Sequence, residues 1–131
     1  MSQTNPRESA IWRYNDVELH LDMSDVAEME HYEKVIARFD DSRKKLPKDG
    51  PYSQVMRVFC TNLRDFFDDM FGAGTAEKLF ADRLNGSELT EAYEDFLRFV
   101  AAQGERISAI TNRISERYSP NRAQRRAAAR R

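Results

Sequence analysis

The chain has 131 residues, 33% of them charged and 40% hydrophobic, with a net charge of −1. This length and balance suit one soluble, mostly helical domain that buries a core without disulfides or metal. No run approaches the roughly eighteen apolar residues a membrane-spanning helix needs, and the single Cys60 excludes an internal disulfide.

The small net charge hides a division. Residues 113–131 hold seven Arg and one Glu, a balance of +6, which leaves −7 for residues 1–112. An acidic body with a basic end says more about partners than the sum does. The opening MSQTNPRESAIW lacks the basic start and apolar run of a signal peptide. A reducing cytoplasm is the expected compartment.

Residues 1–9 are polar, contain Pro6 and read as disordered. Val17, Leu19 and Leu21 then alternate with Glu18 and His20, the period of a half-buried strand. Ile11–Tyr14 before Asn15-Asp16 is a candidate hairpin partner. An isolated hairpin is marginal in water, so it must pack on the helices or on another subunit.

Ser24 is the expected N-cap of a first helix over about Asp25–Lys45, with Asp25 and Glu28 in its first turn. Its apolar stripe reads Val26, Met29, Tyr32 or Glu33, Ile36 and Phe39. A breaker-rich loop, Leu46–Pro51, follows. The second helix is expected over Tyr52–Phe71, where Tyr52, Val55, Met56, Phe59, Leu63, Phe66, Phe67 and Met70 recur at three- and four-residue steps. Gly72-Ala73-Gly74 ends it, and Thr75 caps a short third helix. Asn85-Gly86 forms a turn, and Ser87 caps a last helix that reaches about Tyr118. Gly104 marks a place for a bend in it, and Ser119-Pro120 stops it.

The residues that carry chemistry elsewhere carry little here. His20 and His31 lack a second ligand at helical spacing. Asp40-Asp41 and Asp68-Asp69 are adjacent pairs, which do not face each other on a helix and read as solvated faces. Cys60 has no activating neighbour and reads as a core residue. GAG at 72–74 has neither the preceding strand nor the following Lys of a phosphate loop. The reading is a non-enzymatic protein with no catalytic residue, no metal site and no cofactor.

Two features point toward partners. Core packing is the default for the aromatic cluster, but Phe66, Phe67, Met70 and Phe71 cover more of the second helix than one stripe requires. Part of that surface is therefore expected to meet a partner. The tail arginines Arg122, Arg125, Arg126, Arg130 and Arg131 have three readings: phosphate binding to nucleic acid, docking on an acidic protein surface, or a solvated tail.

Three segments carry a family resemblance: DFFDDMFGAGTAEKLF (Asp65–Phe80), LTEAYEDFLRFVAAQ (Leu89–Gln103) and RYSPNRAQRR (Arg117–Arg126). With DVAEMEHYEKVIARF (Asp25–Phe39), they resemble small uncharacterised proteins of siphophages and prophages. The likeness spans roughly residues 17 to 126, and Ala81–Gly86 departs from the family's glycine-rich turn. The resemblance implies a tail assembly chaperone-like protein in the host bacterial cytoplasm, binding the tape-measure protein and helping recruit tail tube subunits. Alternatives are a structural virion protein of the tail or connector, and a nucleic-acid-binding phage regulator using the arginine tail. Self-association is a further partner reading, and no membrane partner is expected.

The expected fold is mainly α, a small four-helix bundle-like domain with a short N-terminal β-strand or hairpin and a basic C-terminal tail. The expected boundaries are 1–9, 10–118 and 119–131.

Overall fold

A computed structural model describes residues 9–118. Of the expected disordered extent 1–9, residues 1–8 lie outside them, as does the expected tail 119–131, while Ser9 holds a contact described below.

Strands β1 (Ile11–Tyr14) and β2 (Val17–His20) form an antiparallel hairpin in which Tyr14 pairs with Val17 and Ile11 with His20. Asn15 and Asp16 turn the chain with φ of 48° and 60°, the positive pair that a two-residue turn matching strand twist requires. The Leu21 N–H donates to the Ala10 carbonyl at 2.8 Å and extends the pairing by one step.

Helix α1 spans Val26–Lys44, and its N-cap is Asp25, whose carboxylate accepts the Glu28 N–H at 3.1 Å. The expectation of Ser24 as cap is corrected. Its hydroxyl and its N–H both donate to the Asp22 carboxylate, at 2.5 and 2.9 Å, so Ser24 closes the turn before the helix. The expected stripe also shifts. Val35 and Phe39 are buried, whereas Val26 is 71% exposed. Val26 and Val35 lie nine residues apart, about two and a half helical turns, and so face opposite ways.

Helix α2 runs Tyr52–Phe71 and ends on Gly72 at φ 113°. Gly74, in the left-handed region, then precedes α3, Thr75–Phe80. The side chain that caps α3 is Asp68, from the preceding helix: its carboxylate accepts the Ala76 N–H at 2.8 Å. Thr75, expected as that cap, is the first helical residue, and its hydroxyl donates back to the Gly72 carbonyl at 2.7 Å. The corner is thereby closed from both sides.

Helix α4, Gly86–Tyr118, is 33 residues long, about 50 Å. Asn85 caps it, its side-chain oxygen accepting the Glu88 N–H at 3.0 Å, where Ser87 had been expected. The helix continues through Gly104 without a break. Among the described residues the architecture is thus four helices and one hairpin, a mainly α domain. Among the described residues no helix is long and apolar enough to cross a membrane.

Helix α2 is the central element. Phe66 meets Phe39 of α1 at 5.4 Å between ring centroids, and Tyr93 and Phe96 of α4 at 5.1 and 5.6 Å. Phe67 packs on Phe80 of α3 at 5.5 Å. The hairpin lies over the remaining side, with Trp12 stacked on Phe67 at 5.7 Å and Phe71 at 5.9 Å and edge-on to Phe96 at 5.3 Å. Three side chains lock it there. The Trp12 indole N–H donates to Asp95 at 2.8 Å, and Asn15 donates to the Leu79 carbonyl at 2.9 Å. Gln103, buried in α4, accepts the Met23 N–H at 2.7 Å and donates to the Leu21 and Ser9 carbonyls at 2.6 and 3.0 Å.

Candidate partner-binding surfaces

The titratable residues singled out from the sequence are absorbed into the scaffold. His31 donates through Nε2 to the Asp69 carbonyl at 2.8 Å, and His20 sits 3.4 Å from Glu28. Asp68 caps α3, and Asp69 pairs with Arg38 at 3.0 Å. This pair is half-buried and structural, where a solvated face had been expected. Asp40 and Asp41 pair along their own helix with Arg43 and Lys45, at 3.6 and 2.9 Å. Near Asp68 and Asp69, Asp65 has its carboxyl pushed upward by burial, then by the Asp69 and Asp68 charges.

Cys60 is fully buried, and burial pushes its thiol upward, away from nucleophilic use. Among the described residues no group of three or more His, Cys, Asp or Glu is placed to hold a metal ion. This arrangement can hold a fold together.

The aromatic surplus on α2 goes inward. Phe66, Phe67 and Met70 are 1%, 0% and 5% exposed, and Phe71 is half-buried beneath Trp12. The expectation that these residues present a partner surface is corrected. A helix at the edge of a bundle needs one apolar stripe, but α2 is packed by α1, α3, α4 and the hairpin, so it needs apolar residues around most of its girth. The sequence signal was genuine; its cause was the number of neighbours within the domain.

Besides Val26 and Leu84, the large apolar side chains exposed among the described residues lie at two places, each where a core stripe runs off the end of its packing. At the start of α2, Tyr52 is 94% exposed and Met56 48% exposed. Met56 and half-buried Phe59 floor a shallow groove whose other wall is the first turns of α4, with Gly86, Ser87, Thr90, Glu91 and Glu94. Glu91 and Glu94 are exposed and form no ion pair among the described residues.

The second surface is at the far end of α4. Tyr93, Phe96, Val100, Gln103 and Ile107 follow one three- and four-residue seam into the domain, and Ile110 and Ile114 continue it at 47% and 54% exposure. Arg106 and Arg113 line one side of this face, both exposed and both outside any ion pair among the described residues. Arg122, Arg125, Arg126, Arg130 and Arg131 lie outside the described residues.

Sequence periodicity ran through Tyr52, Met56, Ile110 and Ile114 without revealing where the neighbouring helices stop. Gln103 was missed for a related reason: a glutamine in an apolar seam reveals its partners only when distant backbone groups arrive beside it.

The model of a family of unknown function, DUF6673, matches residues 15–129, so the chain belongs to that family. Comparison with curated proteins and with solved structures finds no match.

Proposed function

We propose that this member of a family of unknown function works by protein–protein contact, without chemistry of its own, as a phage tail assembly chaperone-like protein that engages a tape-measure protein in the host cytoplasm. The phage assignment is supported by the resemblance of Asp25–Phe39, Asp65–Phe80, Leu89–Gln103 and Arg117–Arg126 to siphophage and prophage proteins. The contact mechanism is carried by one observation: the groove floored by Met56 and Phe59 between the first turns of α2 and α4. An open apolar groove between helices is a receptor for the apolar face of another helix. The acidic rim of Glu91 and Glu94 favours clients with basic flanks.

Co-expression with the cognate tape-measure protein tests the proposal. The expected result is a more soluble tape-measure protein that co-purifies with this chain, and loss of both effects in Met56→Glu. Unchanged solubility without co-purification overturns it.

The charge division between an acidic body and a basic end favours a second reading, a structural virion protein whose subunits attract one another. Mass measurement of purified particles separates the two. A chaperone is absent from mature virions, and a structural protein is present in fixed copy number.

A further inference from the structure

The two solvent-facing apolar surfaces complement each other. One is convex, the Ile110 and Ile114 face of distal α4, with Arg106 and Arg113 along one side of it. The other is concave, the Met56 and Phe59 groove, walled by Glu91 and Glu94. An apolar helix face with one basic edge complements an apolar-floored groove with one acidic wall.

The two surfaces of one molecule cannot meet. Glu91 and Ile110 belong to the same unbroken helix, and nineteen residues at about 1.5 Å each hold them roughly 28 Å apart. Helices α2 and α4 also run broadly in the same direction. Met56 lies against Gly86 at one end, and Phe71 against Phe96 further along. The groove is therefore at one end of the domain, and the free helix leaves from the other.

Pairing two distal helices symmetrically is disfavoured. In the seven-residue register set by Val100, Ile107 and Ile114, the position beside the seam is held by Arg106 and Arg113. An antiparallel pair brings these like charges together, and a parallel pair sets Arg106 against the uncharged Thr111. Neither arginine forms an ion pair among the described residues, and the groove of another copy offers the unpaired Glu91 and Glu94.

We propose that the protein self-associates head to tail, the distal α4 face of one copy seated in the Met56–Phe59 groove of the next, with Arg106 and Arg113 facing Glu91 and Glu94. Such a contact joins two different surfaces, so a joined pair still has one free groove at one end and one free helix at the other, and growth ends only if a ring closes. The sequence-level division of −7 over residues 1–112 and +6 over residues 113–131 attracts copies in the same sense. The contact goes beyond the client-binding proposal and does not depend on it, because it is read on the purified full-length chain alone. It also occupies the client groove, so a client and a second copy compete.

The test uses the full chain in sedimentation velocity over a concentration series, with circular dichroism confirming that each variant is folded. Wild type forms concentration-dependent oligomers that weaken as salt rises. Ile110→Asp with Ile114→Asp removes the helix face, and Met56→Glu spoils the groove; each variant alone loses about tenfold or more in association. Mixing the two restores association to heterodimers and no further, since the mixture holds one good helix and one good groove. Reversing charges gives an independent arm. Arg106→Glu with Arg113→Glu mixed with Glu91→Arg with Glu94→Arg regains binding that each lacks alone. A wild type that stays monomeric throughout overturns the proposal. So does a Met56→Glu protein that associates like wild type, which would mean the distal helices pair with each other.

Discussion

Gln103 Oε1 accepts the backbone N–H of Met23 at 2.7 Å, joining residues eighty positions apart inside the domain. The same amide donates to the Leu21 and Ser9 carbonyls, so one side chain satisfies three backbone groups of the segments bounding the hairpin. Every polar atom of that amide is used, which is what makes a glutamine at 3% exposure tolerable in an apolar seam.

Replacing Gln103 by Leu therefore strands buried backbone groups and costs about 2–3 kcal/mol. The check is a lower urea midpoint together with faster hydrogen exchange at the Met23 amide. Gln103→Glu keeps the Met23 acceptor but lacks the donors, and sets a charge against two carbonyls. Its protonated form is the better tolerated one, so this variant becomes more stable relative to wild type as pH falls.

Trp12 is the only tryptophan in the chain and sits at the centre of the hairpin–helix contact at 2% exposure. Trp12→Phe keeps much of the stacking but leaves Asp95 without its indole donor, at a cost of about 1–2 kcal/mol. Trp12→Ala costs about 3–5 kcal/mol. Thermal melts rank the two. In wild type, the shift of tryptophan emission toward longer wavelength reports undocking of the hairpin directly.

The two corner glycines differ in need. Gly72 has φ 113° and ψ 155°, a region essentially closed to other residues, while Gly74 at φ 90° and ψ −5° lies nearer left-handed helix. Neither has an atom within 4 Å of an added Cβ, so the penalty of alanine is backbone strain alone. Gly72→Ala should cost about 2 kcal/mol or more. Gly74→Ala should cost about 1 kcal/mol, and Gly74→Asn less. Denaturant midpoints decide the order.

Asp65 is held in its charged form at a disadvantage, by burial first and then by Asp69 and Asp68. Its folded pKa lies above the unfolded one, so the folded state binds more protons and this group favours folding more as pH falls. Asp65→Asn removes the charge at every pH. It should raise stability at neutral pH by about 0.5 kcal/mol or less, given how exposed the site is. The gain should shrink as the medium is acidified and wild-type Asp65 takes up its proton. Melting temperatures of both proteins across an acid series test the sign.

Cys60 is fully enclosed, with its thiol pushed upward by burial. Alkylation should be very slow in native protein and accelerate with denaturant in parallel with unfolding. Rapid labelling without denaturant would show that α2 opens locally.

What lay within reach of the sequence was whatever depends on neighbours in the chain. The Asn15-Asp16 turn with its strands, the span Tyr52–Phe71 and the glycine corner follow from turn chemistry, a 3.6-residue period and the freedom of glycine at positive φ. Caps were legible only as neighbourhoods. Ser24, Thr75 and Ser87 gave way to Asp25, Asp68 and Asn85, because several short polar side chains compete near each helix start and geometry chooses among them.

The tertiary structure alone decided which apolar residues stay wet. Phe66, Phe67 and Met70 vanish inside because four elements converge on α2, whereas Met56, Ile110 and Ile114, no less periodic, remain at the surface because their helices outrun their neighbours. Periodicity records the direction a side chain faces along its own helix. Burial depends on what stands opposite, and that is settled by where distant segments of the chain end.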